Sequence, residues 1–340
     1  MAIARKHTVS ETEDGIYHCT TRCVRRAFLA GYDSYSNKNY EYRKKWIQER
    51  LKYVSEIFKI DVLNYAVMSN HLHVLIRTDY KGRDELSDRE VAERWCKLYR
   101  REVEFLDNKE EYIKIMLMDR LLINTYRYRL GNISWFMRSI NEYIARRANK
   151  EDECKGRFWE GRFYCQKVIG EGAILQTSMY IDLNPVRAKV AETPEESKYT
   201  SIYDRIEAKR AKDVINEKKY KTQNRKKKLK EAINQDKWLA PLSNKDNPKG
   251  YLNMTFEEYL SLIDWTGRCL AEGKKGTIPS ELSPILERLK ISEVDFTDRM
   301  KSFCKKFHRV IAREDKLEEV ALTQGSRWIQ GVVSARMFFI

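Results

Sequence analysis

Hydrophobic and polar positions alternate between strand-like and helix-like periods over the first two hundred residues. Gly15 to Arg22 (GIYHCTTR) gathers β-branched and aromatic residues in a short run after the polar Glu11 to Asp14 stretch, which predicts a strand. Tyr40 to Phe58 changes period: Trp46, Ile47, Tyr53, Val54, Ile57 and Phe58 fall on roughly one helical face, with Lys44, Lys45, Glu49 and Arg50 mostly off it. Two apolar runs, Ile60 to Met68 and His71 to Ile76, flank Ser69-Asn70 and predict an antiparallel hairpin. From Thr78 to Gly131 the pattern is charged and helical, and Ser87 with Glu90 has capping-box spacing ahead of Val91, Trp95 and Leu98. This stretch reads as a helical insertion at about 79–131. Ile133 to Lys150 is an amphipathic helix with Ile133, Phe136, Met137, Ile140, Tyr143 and Ile144 inward. Arg162 to Ile169 reads as a strand, and Glu171 to Ile181 as a helix that stops before Pro185. Strand, helix, hairpin, helix, strand, helix is the order of an α+β unit, residues 1–205. It predicts a ferredoxin-like split βαβ antiparallel sheet with helices on one face.

Beyond Tyr203 the chemistry changes. Lys209 to Lys230 is dense in Lys and Arg, opposed only by Asp213 and Glu217, and lacks a regular apolar stripe. Residues 206–250 therefore read as a mobile basic linker, with Arg225, Lys226, Lys227 and Lys228 as phosphate contacts. Thr255 with Glu258 opens another helix, and further helical patterns run over Ser280 to Leu289 and Asp295 to Ile311, with a helix turn at Gly325 to Gly331. Residues 251–340 are expected to form a separate all-α domain, accessory to DNA binding.

Composition sharpens this picture. A surplus of 65 Lys+Arg over 50 Asp+Glu, net +15 with a pI near 9.3, favours a polyanionic partner. No apolar stretch approaches the ~18 residues of a membrane span, and the first residues lack the apolar core of a secretory signal, so a cytoplasmic protein is expected. Seven scattered cysteines without a Cys-x-x-Cys pair argue against a disulfide scaffold or a zinc knuckle.

Three clusters carry candidate chemistry. His71-Leu72-His73 lies in a predicted strand, where residues two apart point the same way and two imidazoles attached about 7 Å apart can hold one divalent ion. A random chain with five histidines shows such a pair roughly one time in twenty, so two satisfied structural histidines are the alternative. Tyr180 and Asn184 are an i, i+4 pair ahead of Pro185, and a phenol beside an amide oxygen suits a nucleophile next to a metal ligand acting on a phosphate. With twenty tyrosines in the chain, packing is the competing role. In Lys155 to Lys167 (KGRFWEGRFYCQK), Arg157 and Arg162 interleave with Phe158 and Trp159, cations for phosphates and rings for bases; a core-facing strand with a charged outer face is the alternative.

Together, Tyr17-His18, Met68-Ser69-Asn70-His71-Leu72-His73-Val74-Leu75, Gly156-Arg157-Phe158-Trp159-Glu160-Gly161-Arg162-Phe163 and Tyr180-Ile181-Asp182-Leu183-Asn184-Pro185-Val186-Arg187-Ala188 resemble the single-tyrosine HUH transposases. Within them the chain is most similar to the REP-associated tyrosine transposases of bacteria, over about the first 205 residues, and the C-terminal part resembles the extension of longer members. The resemblance implies the HUH fold, with His71, His73 and Asn184 as ligands of Mg²⁺ or Mn²⁺ and Tyr180 as nucleophile. It also implies cleavage of single-stranded DNA beside a hairpin, through a 5′-phosphotyrosine that leaves a 3′-hydroxyl able to rejoin strands. Arg187 joins Arg157, Phe158, Trp159 and Arg162 as DNA contacts. The expected partner is single-stranded or hairpin DNA, with no membrane, a nucleoid-associated location, and either a monomer or a homodimer. A HUH relaxase or replication initiator shares the histidine pair, and a domesticated protein that binds without cutting is the other alternative. A two-histidine phosphodiesterase is disfavoured, since His73-Val74-Leu75 supplies no His-x-Ser/Thr motif.

Overall fold

The computed structural model describes residues 8–10, 12–24, 30–33, 37–99, 109–218, 222–245, 247–272, 303–326 and 328–339. Strand β1 (Ile16–Arg22) is followed by two antiparallel two-residue strands, β2 (Tyr32–Asp33) and β3 (Lys38–Asn39), and by helix α1 (Arg43–Ser55). Then come β4 (Ile60–Val67) and β5 (His71–Thr78), joined by the tight turn at Ser69-Asn70, where the Met68 N–H donates to the His71 carbonyl at 2.8 Å. Helices α2 (Tyr80–Asp84), α3 (Asp88–Leu98), α4 (Lys109–Met118) and α5 (Arg120–Leu130) follow, α3 opening on the Ser87–Glu90 capping box. Helix α6 (Ile133–Glu151) leads to β6 (Tyr164–Val168).

The main sheet has the order β4-β5-β1-β6-β7. Its first four strands are antiparallel, and β5 lies between β1 and β4, the pair that α1 connects, which is the split βαβ arrangement. Period-two alternation sends Tyr17, Cys19, Leu72, Val74 and Ile76 to one face, where Ile47, Leu51 and Val54 of α1 and Phe136, Met137, Ile140 and Ile144 of α6 bury them. Tyr143, expected inward on α6, is instead 36% exposed and lies under the Arg50 guanidinium.

Helices on a single face describe only α1 and α6. The opposite face is covered as well, by α7 (Glu171–Asp182), the short α8 (Asn184–Arg187), α9 (Ser201–Asn216) and α11 (Phe256–Glu272), the last two preceding and following α10 (Gln223–Ile233) in the chain. Leu175, Met179, Ile202, Ile206, Leu262 and Ile263 bury Leu63, Ala66, Leu75 and Val168 there. The expected basic linker is largely helical: α9 and α10 carry most of Lys209 to Lys230, and Thr222 caps α10 by accepting from the Arg225 N–H at 3.2 Å. Helix α10 buries no residue, so it has no apolar stripe to show.

Residues 303–339 do not form a separate all-α unit. After α12 (Phe303–Lys306) the strand β7 (Val310–Ile311) pairs in parallel with β6, and α13 (Glu314–Thr323) and α14 (Val332–Phe338) close over it. The helix expected over Asp295 to Ile311 thus gives way to a strand at its end. Its earlier part, like the helix at Ser280 to Leu289, lies outside the described residues. The described part of Gly325 to Gly331 is turn and irregular backbone between α13 and α14. No helix of the described residues is long and apolar enough to cross a membrane.

Candidate active site

Cross-strand register builds the site on the face beneath α7. Thr20 of β1 is directly opposite His73 of β5, Arg22 is opposite His71, and His18 is opposite Gln166 of β6. Directly opposed residues share a face, so this face runs from apolar (Ile16, Leu75, Val168) through polar (His18, His73, Gln166) to an open end (Arg22, His71, Tyr164). His18 Nε2 is 2.9 Å from His73 Nδ1, His18 Nδ1 is 3.1 Å from Gln166 Oε1, and Thr20 Oγ1 lies 3.1 Å from His73 Nδ1. The His71 and His73 rings meet edge-on, 4.8 Å between centroids, and His71 Nδ1 is 2.6 Å from Asn70 Oδ1.

Helix α7 brings Tyr180 onto this cluster, its ring 5.8 Å from that of His73 and 6.4 Å from that of His18. The helix is pinned by the buried Asp182, whose carboxylate accepts from Asn64 Nδ2 at 2.9 Å, Tyr259 Oη at 2.7 Å and Ser201 Oγ at 2.5 Å. That network ties α7 to β4, α9 and α11 at once. Asn184 begins α8 one turn beyond Tyr180 and also faces the cleft, and the Arg187 guanidinium sits 3.8 Å over the Tyr180 ring. The cleft, about 910 Å³, is rimmed by Arg22, Arg162, Arg187, Lys189 and Lys305, with Glu160 as an acidic member.

Burial dominates the protonation states. It lowers the His71 imidazolium to about 4, aided by Arg22, Arg187 and Lys305, and holds His73 well below the usual histidine range, aided by His18 and His71. Both rings are therefore neutral bases near pH 7, the form a metal ligand takes. Burial also raises the Tyr180 phenol, with Arg187 pulling the other way.

Among the described residues no group of three or more His, Cys, Asp or Glu could hold a metal ion. The available donor set is two imidazoles and one amide. Among the described residues the buried Asn184 Nδ2 has no hydrogen-bond partner, so none of them holds that end of the amide, and the opposite orientation turns an oxygen to the same place. Two neutral nitrogens, an amide oxygen and an open side toward the cleft are a donor set that fits a divalent cation.

The structure thus brings Tyr180, His71, His73, Asn184, Arg162 and Arg187 into one cleft. It does not bring in the others. Trp159 is buried against the opposite face of the sheet with Nε1 donating to the Asn141 carbonyl at 2.8 Å, so its ring offers no face to a base. Phe158 is half-buried edge-on to Trp159, and the exposed Arg157 does not line the cleft. Here the core-facing alternative holds for the aromatic positions. Arg225, Lys227 and Lys228 are exposed and Lys226 half-buried on α10, outside the cleft lining. Thr20, Gln166, Lys305 and the role of His18 were missed by sequence reasoning. The available signal was polar residues at alternate positions of otherwise apolar strands, at 18 and 20 as at 71 and 73.

No protein-family profile matches the chain, and no curated protein matches it. Among solved structures, a REP-associated tyrosine transposase bound to a REP hairpin is similar over 60% of this chain and 84% of its own, at 11% identity and a TM-score of 0.36. A likeness that distant says nothing of the chemistry of this chain.

Proposed function

We propose that the chain is a metal-dependent, tyrosine-nucleophile endonuclease and strand transferase acting on single-stranded DNA. The observation that carries this reading is the Tyr180 ring lying edge-on to the neutral His73 imidazole, itself edge-on to the neutral His71 imidazole, inside one basic cleft. The basic rim draws in the phosphate backbone. Tyr180 Oη attacks the scissile phosphorus in line, its proton leaves, the bond to the 3′-oxygen breaks, and that oxygen takes up a proton as the free 3′-hydroxyl. The 5′-phosphate stays on Tyr180, and attack by a 3′-hydroxyl on that ester rejoins strands and restores the phenol.

A divalent cation held by His71, His73 and Asn184 would supply charge neutralisation at the phosphoryl oxygens. The Arg187 guanidinium favours the phenolate, and α7, held by Asp182, fixes where the oxygen sits. The resemblance of the motifs adds hairpin-adjacent, REP-like sites as the targets. A binder that never cuts would use the cationic rim and α10 but has no need of buried neutral imidazoles beside a phenol.

The test is to incubate the protein with Mn²⁺ and labelled single-stranded hairpins, then map any peptide left on DNA by mass spectrometry. A Tyr180 adduct is expected. Tyr180→Phe should bind DNA normally and form none, and His71→Ala should lose metal-dependent cutting. A full-strength adduct in Tyr180→Phe moves the nucleophile elsewhere, with Tyr164 on the cleft wall as the next candidate.

A further inference from the structure

One histidine in the cleft has no task in the proposed reaction. His18 is almost fully buried on β1, and its two ring nitrogens face different neighbours. On one side stands Gln166, whose Nε2 donates to two backbone carbonyls of the C-terminal segment, Cys304 at 3.1 Å and Phe307 at 2.9 Å. Those acceptors fix the amide, because turning it over would set its oxygen against two carbonyl oxygens. Gln166 Oε1 is therefore the atom that faces His18 Nδ1 at 3.1 Å, and a carbonyl oxygen offers only lone pairs. The proton of the His18 ring must sit on Nδ1.

The direction of that bond sets the next one. His18 has an amide and no carboxylate on its Nδ1 side, so the buried ring is neutral and its Nε2 is bare. That bare nitrogen lies 2.9 Å from His73 Nδ1. Two lone pairs cannot face each other at this distance, so His73 carries its proton on Nδ1 and donates it to His18. The Thr20 hydroxyl, 3.1 Å from His73 Nδ1 and 3.3 Å from His18 Nε2, keeps the same direction by accepting from the first and donating to the second. His73 is left with its lone pair on Nε2. Neutral histidine in water prefers the opposite tautomer, so the protein must impose this one. His71 reaches the same state locally, Nδ1 donating to Asn70 Oδ1 of the adjacent residue at 2.6 Å.

We propose that His18 is a positioning residue: clamped by Gln166 from the backbone of residues 304 and 307, it locks His73 in the tautomer that turns the Nε2 lone pair toward the cleft, where a divalent cation would be held. The proposal rests on the reading of His71 and His73 as ligands. It also gives the C-terminal segment a role in the site beyond adding a strand, since the chain of donors begins at its carbonyls. Removing the residue that hydrogen-bonds the far nitrogen of a metal-bound histidine typically changes metal affinity by about 10–100-fold.

Tautomers can be read without metal or substrate. In the full-length protein with ¹⁵N-labelled histidine, long-range ¹H–¹⁵N correlation should show His73 protonated on Nδ1. His18→Leu, which keeps volume and removes the acceptor, should move that proton to Nε2 and weaken Mn²⁺ binding, followed by electron paramagnetic resonance of free Mn²⁺, by about 10–100-fold. His18→Gln, which restores an acceptor toward His73 and a donor toward Gln166, should recover both readouts. If His18→Leu does not fold, Gln166→Leu tests the preceding link, and a mixed His73 tautomer is expected because His18 is then free to exchange its own proton. An unchanged Nδ1–H tautomer in either variant overturns the proposal. Wild-type protein that binds Mn²⁺ no better than His71→Ala overturns the ligand reading instead, and the tautomer spectra separate the two failures.

Discussion

Arg187 offers the sharpest quantitative test of the chemistry. Its guanidinium lies 3.8 Å above the centre of the Tyr180 ring, which puts it about 4–5 Å from the phenolic oxygen. At an effective dielectric near 20, a cation and a phenolate at that separation attract by roughly 3–4 kcal/mol, and solvent in the open cleft reduces this to about 1.5–3 kcal/mol. Arg187→Ala should therefore push the phenol up beyond the rise that burial already imposes, and each ~1.4 kcal/mol of lost attraction lowers the phenolate fraction about tenfold. Below the phenol pKa the cleavage rate is proportional to the phenolate fraction. Single-turnover cleavage at saturating protein and fixed Mn²⁺ should therefore fall about 10–100-fold at neutral pH. The climbing limb of the pH–rate profile should move to higher pH, and Arg187→Lys should keep most of the activity. Saturation removes any loss of DNA affinity from the measured rate. An Arg187→Ala profile superimposable on wild type, or a defect abolished by adding protein, would show that the cation over the ring serves only to grip DNA.

Three further outcomes are expected from separate parts of the molecule. Replacing Arg225, Lys226, Lys227 and Lys228 by Ala should weaken single-strand binding and make log K less steep in log salt by about 3, at ~0.7 per lost phosphate contact; an unchanged slope in a salt titration removes α10 from the interface. Asp182→Ala should lower stability by about 2–4 kcal/mol in urea unfolding, because Asn64, Tyr259 and Ser201 lose a shared buried acceptor; a loss under 1 kcal/mol would mean α7 is held otherwise. Burial raises Asp204 to about 6 against the pull of Tyr65, Gln235 and Gln48. A carboxyl raised by folding contributes stability that is complete below its unfolded pKa near 4 and fades as pH climbs through 6. The stability of wild type relative to Asp204→Asn should thus drop by about 3 kcal/mol between pH 4 and 8, and a pH-independent difference would contradict that assignment.

Local periodicity made much of this architecture legible. The hairpin at Ser69-Asn70, the amphipathic α6 and the helix ending ahead of Pro185 all follow from spacing alone, since each element's pattern is contained within its own residues. The same holds for the pairing of His71 with His73, two residues apart on one strand. What stayed hidden depends on partners distant in sequence. A two-residue strand such as β7 has no period to detect, and it exists because β6 presents an open edge to it. Trp159 reads as a base-stacking ring while its surroundings are unknown, yet an indole whose N–H reaches a backbone carbonyl is more stable inside the core. On α10 the missing apolar stripe argued against order, although a helix of Lys, Arg and Gln capped by Thr222 needs only one neighbour, here α9.

The site itself divides along the same line. Residues 71, 73, 180 and 184 announce themselves because their spacing is short, whereas 18, 20 and 166 enter only when β1 is paired with β5 on one side and β6 on the other. Register also accounts for the chemistry available there. Shifting β1 by one residue would turn His18 and Thr20 to the opposite face and put Tyr17 and Cys19 beneath Tyr180, so the apolar alternation that buries Tyr17 and Cys19 under α1 and α6 is the same constraint that delivers His18 to His73. Core packing on one face of the sheet and imidazole placement on the other are thus a single requirement on β1, and a variant that loosens the first is expected to disturb the second.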